Sequence, residues 1–394
     1  MKFQGEPVLK RIDSNLVHQW WDESKFPSEF VPKDKFSVRW KGVIVPSKST
    51  EYMFSARNTV MSSDNDKGIK IYLDNEIILD QWTSHVGWET GITKKLVAGK
   101  AYDFKVEYID DIDWAGVIIG WKPLKDNLLQ EAITVAKKSD AVILVLGSRN
   151  DTEGEHLDRQ SLDLLPEQER LLKKIYEVNS NVVLTLINGS PISVNWADKN
   201  IPAILEAWYP GQAEGMAIAE VLFGDYNPGG KLPITFPKAA SDLPAFEDYD
   251  ITKGKTYMYQ RIKALYPFGF GLSYTDFEVS NELLSKQQLS KDGVIEISFD
   301  IKNIGSKQGS EVVQLYIRKN DEAQDNPIKI LKAFERVFLD EGEKQRITLI
   351  VPVKELARYN TELNKFIVGS GSYELMVGNS STNFYFKQGL EISE

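Results

Sequence analysis

Hydrophobic and polar positions alternate with two different periods along this chain, and the period changes twice. Over residues 36–121 the runs SVRWKGVIV, EYMFSARN, GIKIYLDNEIILDQW, KAYDFKVEYI and GVIIGWK alternate with period two and are broken by turn residues. Short strands of that kind predict a small β-sandwich. Asp74-Asn75, between IKIYL and EIILD, marks a hairpin turn. From about residue 126 to 274 the pattern becomes strand–helix–strand. A helix over 127–139 leads to AVILVLG, an acidic loop, the helix PEQERLLKKIYEV opened by Pro166, and the strand NVVLTLIN. Near-continuously apolar strands separated by helices predict a parallel sheet. From residue 276 onward GVIEISFDIKNIG, SEVVQLYIR, QRITLIVPV and KFIVGSGSYELMVG alternate again, which predicts a second β-sandwich.

Length agrees with this division, since 394 residues exceed one ordinary domain of roughly 100–200. The expected domains are residues 1–124, 125–274 and 275–394, giving a multidomain α/β plus all-β chain. Hydrophobic residues make up 42%, enough for packed cores and against general disorder. A formal net charge of −10 disfavours nucleic acid and fits a neutral ligand such as a sugar. With no cysteine, disulfides and thiolate metal sites are excluded. No stretch approaches the roughly 20 apolar residues of a membrane span, and the polar start MKFQGEPVLKRIDSN lacks a signal-peptide centre.

The candidate chemistry lies in residues 142–168, VILVLGSRNDTEGEHLDRQSLDLLPEQ. Glu153 and Glu155 follow the carboxyl end of a buried strand, the edge where open α/β sheets bind ligands. In a locally extended loop they point the same way, and repulsion raises one pKa, as suits a general acid. The bland alternative is a solvated acidic loop. Arg159 is able to hold a carboxylate in bidentate fashion, and Gln168 reads as helix surface. His18, His85 and His156 are too scattered for a zinc site or a triad. There is no G-x-S-x-G elbow, and with no Walker loop and no G-x-G-x-x-G nucleotide binding is disfavoured. Asp64, Asn65 and Asp66 read as a polar turn rather than a calcium site. Trp82, Trp88 and Trp114 fit half-buried sandwich positions as well as sugar platforms.

These phrases carry a resemblance. TEGEHLDRQSLDLLPEQ resembles the acid/base loop of glycoside hydrolase family 3, which reads like EG-x-DR-x-x-L-x-LP-x-x-Q. AWYPGQAEGMAIAEVLFGDYNPGGKLPITFP and YPFGFGLSYTDF resemble two further phrases of that family. SEVVQLYI, LKAFERVFLDEGE and GSYELMVG resemble its fibronectin type III-like domain. FSVRWKGVIVPSKSTEYMFSA, IKIYLDNEIILDQW and LVAGKAYDFKVEY, in that order, resemble a PA14 domain whose opening is clipped.

The resemblance implies a PA14-like β-sandwich inserted before the second part of an α/β/α sandwich with a mostly parallel sheet, then a fibronectin type III-like sandwich. It implies Glu155 as acid/base, with Glu153 the second choice and Asp158 and Arg159 bracing the loop. The family's nucleophilic aspartate comes from an N-terminal (β/α)8 barrel, and no such barrel is found here; Ser63-Asp64-Asn65 reads as a turn. The chain is therefore expected to be the C-terminal portion of a retaining β-glucosidase, inactive without its barrel and needing no cofactor. Expected partners are a β-linked oligosaccharide or aryl glucoside, the barrel portion, and a second copy through an exposed apolar sheet edge. The rival is a non-catalytic carbohydrate-binding or scaffold protein. Full-length relatives are often periplasmic or secreted, but the compartment is not readable here.

Overall fold

A computed structural model of the chain describes residues 3, 6–20, 31, 35–58, 67–82, 90–110, 116–124, 128–149, 153–154, 159, 161–321 and 326–394. They form two compact units, Met1–Glu131 and Ala132–Glu394, mostly of sheet with few helices. Among the described residues no helix is long and apolar enough to cross a membrane.

The first unit contains β1 (Val17–Gln19), β2 (Phe36–Ile44), β3 (Thr50–Asn58), β4 (Lys67–Leu73), β5 (Glu76–Gln81), β6 (Thr90–Leu96), β7 (Tyr102–Asp110) and β8 (Gly116–Pro123). They make two four-stranded antiparallel sheets, ordered β1-β8-β3-β6 and β2-β7-β4-β5. Alternate residues face one shared core: Tyr52, Phe54 and Ala56 from β3, and Ile69, Ile71 and Leu73 from β4. Each large apolar side chain so buried contributes about 1.5–3 kcal/mol. Asp74 and Asn75 sit at φ 49° and 68° between the paired Leu73 and Glu76, as a two-residue hairpin turn with both central residues left-handed requires. His18 stacks on both Trp20 (5.0 Å) and Trp40 (5.5 Å), and burial lowers its pKa against the pull of Asp13. It is a packing residue. Trp82 is flanked by Phe3 and the Lys70 ammonium. His85, Trp88, Trp114 and residues 63–66 lie outside the described residues.

Next come α1 (Leu128–Lys138), β9 (Val142–Gly147), α2 (Pro166–Val178), β10 (Val182–Ile187), α3 (Asn195–Asn200), β11 (Ala203–Glu206) and α4 (Glu214–Phe223). The strands form a parallel sheet ordered β11-β10-β9. Central β10 buries Val182, Leu184, Thr185 and Leu186, as a strand covered on both faces must, and so VVLTLI is nearly all apolar. Edge strand β9 leaves Ile143 46% and Val145 55% exposed. Apolar α4 has no buried residue, and Phe223 is 77% exposed. Pro166 occupies the first turn of α2, where its missing N–H costs nothing.

The last sandwich packs the strands Phe277–Leu284, Val294–Asn303 and Lys344–Pro352 against a five-stranded sheet. Ile295, Ile297, Phe299 and Ile301 meet Val313, Leu315 and Ile317 in its core. The phrases NPGGKLP and YPFGFGLSYT join it to the parallel-sheet region. Leu232 N–H donates to Phe270 O, Gly269 N–H donates to Leu232 O, and Asn227 Nδ2 donates to the Gln308 carbonyl. A Cβ on Gly229 would lie 2.1 Å from Ser310 Oγ, and one on Gly271 2.1 Å from the Gly230 carbonyl. These glycines allow backbone to touch backbone, which no other residue permits.

Lys231 Nζ lies 2.7 Å from Glu311 Oε1 in this joint, with side chains 11% and 6% exposed. It also donates to the Gly271 carbonyl. Lys231→Met strands a buried carboxylate and is expected to cost about 3–5 kcal/mol. The double change with Glu311→Met is expected to recover most of that. Urea unfolding of the four-member cycle checks it; a single-variant loss below about 1 kcal/mol, the range of exposed pairs, would contradict it.

Candidate active site

Three strand ends converge at the carboxyl edge of the parallel sheet. Gly147 closes β9 at φ 150°, and a Cβ there would lie 1.9 Å from the Ile187 carbonyl. Only glycine lets β9 finish tight against β10, and Ser148 N–H then donates to that carbonyl at 2.9 Å. Downstream, Ser193 N–H donates to Leu162 O at 2.7 Å. The acidic loop is thus tied at both ends to β10 and the segment that follows it. Gln168 Nε2 donates to Gly147 O at 2.9 Å. The reading of Gln168 as helix surface is corrected: α2 opens with this side chain turned back onto the strand end.

Glu153 is the hub. Its Oε1 accepts from Gly189 N–H (2.7 Å) and Tyr209 Oη (3.0 Å), and its Oε2 from Ser148 Oγ and Ser190 Oγ, both at 2.7 Å. One carboxylate therefore binds the loops after β9, β10 and β11. A Cβ on Gly189 would come within 2.7 Å of Glu153 Oε1 and 2.6 Å of the Tyr209 ring, so any side chain there would have to displace one of them. Arg159 Nη2 donates to Ser190 Oγ (2.9 Å) and Pro191 O (2.7 Å), and its Nε stands 3.8 Å from Glu153 Oε2. Arg159 braces the loop through Ser190 more than by a bidentate grip.

Burial opposes the ionised form of Glu153, but Ser148, Ser190, Gly189 and Tyr209 together outweigh it and hold the carboxyl below its ordinary range. Such a group is a fixed anion. It is poorly suited to donate a proton. Of the expected pair, Glu153 is the member whose pKa falls. Glu155, Asp158 and His156 lie outside the described residues.

Two participants were not anticipated. Tyr209 and Glu206 belong to ILEAWYP, where the sequence pointed to no candidate chemistry. Burial pushes the Tyr209 phenol up, and the Glu153 charge adds to it. Glu206 ends β11 as a lone carboxyl in an apolar run, and that isolation was the available signal.

Comparison with known proteins follows this division. A family model described as glycosyl hydrolase family 3 C-terminal domain matches residues 40–274, and a fibronectin type III-like domain matches residues 311–381. A β-glucosidase of Rhizobium radiobacter is 33% identical across 96% of this chain and 49% of its own length. A β-xylosidase of Formosa agariphila is 41% identical across 64% of this chain and 35% of its own. The crystal structure of a Kluyveromyces marxianus β-glucosidase in complex with glucose superposes with a TM-score of 0.79 at 30% identity. It covers 100% of this chain and 48% of that one. The chain spans about half the length of such relatives, or less.

Proposed function

This chain belongs to glycoside hydrolase family 3, and from that premise we propose that it is the C-terminal portion of a retaining β-glucosidase. It supplies the acid/base loop, and the nucleophilic aspartate comes from a (β/α)8 barrel portion. Glu155 protonates the leaving oxygen while the aspartate attacks the anomeric carbon. Glu155 then takes the proton from the water that releases the sugar. The two carboxyls need a separation of roughly 5–5.5 Å for this double displacement. Glu153, Asp158 and Arg159 brace the loop and do no chemistry. The substrate is a β-linked oligosaccharide or aryl β-glucoside.

The observation that carries the reading is the Glu153 junction. A loop that must hold an acid at one spot is tied to three strand ends two residues before Glu155. The finer architecture belongs to the proposal: a PA14-like sandwich over 1–124, the second part of an α/β/α sandwich over 125–274, and the fibronectin type III-like domain over 275–394. A family 3 match over residues 40–274 that takes in strands of the first sandwich supports an insertion. The exposed Ile143 and Val145 of β9 support a covering partner, whether the barrel portion or a second copy.

The test is hydrolysis of an aryl β-glucoside by the chain alone and after mixing with a family 3 barrel portion. Activity is expected only in the mixture. A folded chain that stays inactive with a competent barrel, yet binds glycans, would favour the non-catalytic scaffold.

A further inference from the structure

Glu206 stands beside the Glu153 junction and nothing in the chemistry above uses it. Its Oε1 accepts from Trp208 N–H at 3.2 Å. That bond depends on Trp208 adopting φ 55°, a left-handed backbone that is strained for an aromatic residue. Its Oε2 is buried with no donor. The Asn188 amide lies against the same carboxyl. Asn188 Nδ2 donates to Ser190 O at 3.0 Å, which fixes the amide's orientation and leaves its Oδ1 also buried without a donor. Two neighbouring residues thus present buried acceptors and lack a donor. A buried polar atom left so destabilises the fold. Of the two side chains, only Glu206 can gain a proton.

We infer that Glu206 is a positioning residue that works as a neutral carboxylic acid, its proton supplying the donor that the Glu206–Asn188 pair lacks. Two consequences follow at the junction. Asn188 begins the segment that carries Gly189 N–H and the Ser190 hydroxyl to Glu153, so the pair sets where those donors point. A neutral Glu206 also spares Glu153 a second negative charge. Among the described residues, Glu153 faces Glu206 from the loop after β9, with Arg159 behind it on Ser190. The end of β10 contributes the uncharged Asn188, and the loop after β11 contributes Tyr209, whose hydroxyl is on Glu153. Burial first, and then the Glu153 charge, push the Glu206 carboxyl up to about 7, against the Trp208 hydrogen bond and the dipole of the nearby Asn188 amide.

Relevance to turnover rests on the proposed function, whereas the protonation state does not. The readout is therefore the stability of the full chain without any barrel. The folded-state value lies above the ordinary 4.5. The stabilisation is fully present below that value and is lost as pH rises through about 7. Glu206→Gln has no such proton to lose. The folding constant of the wild type relative to Glu206→Gln is expected to fall about 100-fold between pH 4.5 and pH 8. Parallel pH profiles would overturn the inference. Should the variant fail to fold, carboxyl carbon NMR of the glutamates in a Glu155→Gln background decides. A signal titrating near neutrality supports the assignment; titration of every glutamate below about 5.5 refutes it.

Discussion

Glu155→Gln, in the chain complemented with a barrel portion, is expected to lower kcat about 10²–10⁴-fold on a β-glucoside with a poor leaving group, and much less on a dinitrophenyl β-glucoside. General acid catalysis matters in proportion to the basicity of the departing oxygen. An alkoxide cannot leave without a proton, whereas a nitrated phenolate can. Gln is nearly isosteric with Glu and leaves the Glu153 junction untouched, so unfolding of the variant should match the wild type. The alkaline limb of the kcat/KM profile should vanish, because that limb reports the acid in the free enzyme. Glu153→Gln supplies the contrast. Glu153 is held ionised by four donors, so its change should reduce activity on both substrates alike and lower stability. Leaving-group dependence that appeared with Glu153→Gln and not with Glu155→Gln would reverse the two roles.

The elements of the fold were legible because their patterns are local. Pro166 and the apolar spacing behind it mark α2, the alternation in EYMFSARN marks β3, and Asp74-Asn75 marks a turn whose φ angles only such residues adopt cheaply. The parallel sheet could be read from the unbroken apolar run of β10, since a strand buried on both faces has no polar side. Membership in glycoside hydrolase family 3 was legible from fixed phrases, whose glycines the structure places at close contacts. Gly229, Gly269 and Gly271 stand where a Cβ would collide with Ser310, Gln314 or the Gly230 carbonyl.

The junction was not legible, because its parts come from the ends of three strands; Tyr209 is 56 residues from Glu153. Periodicity reports which face of an element is buried, but not which loop side chains meet beyond the strand ends. The spacing of Glu153 and Glu155 suggested two carboxyls sharing a charge conflict. That holds only for an extended loop, and loop conformation is set by tertiary partners such as Gly189 and Ser190. Gln168 was misread for a similar reason, since a polar residue in a first helical turn looks exposed until the strand end it bonds is known.

Glu153→Ala is expected to destabilise the second unit by about 3–5 kcal/mol, among the largest effects of any single polar change in the chain. Truncation removes the acceptor from Gly189 N–H and from three hydroxyls at once. The hydroxyls can turn to water, but Gly189 N–H is fixed by its backbone and the mostly buried Arg159 loses the carboxylate that stands 3.8 Å from its Nε. Ser148→Ala removes one donor and should cost about 1.5–3 kcal/mol, so the two variants rank the hub above its spokes. The pH dependence has a definite sign. The folded Glu153 carboxyl lies below its ordinary 4.5, so its contribution is present above that value and is lost as pH falls through the folded one. The gap between wild type and Glu153→Ala should therefore close in acid and stay open at neutral pH. Urea unfolding at pH 3 and pH 6 measures it, and a gap that persisted unchanged at pH 3 would mean that packing, not charge, is what Glu153 contributes.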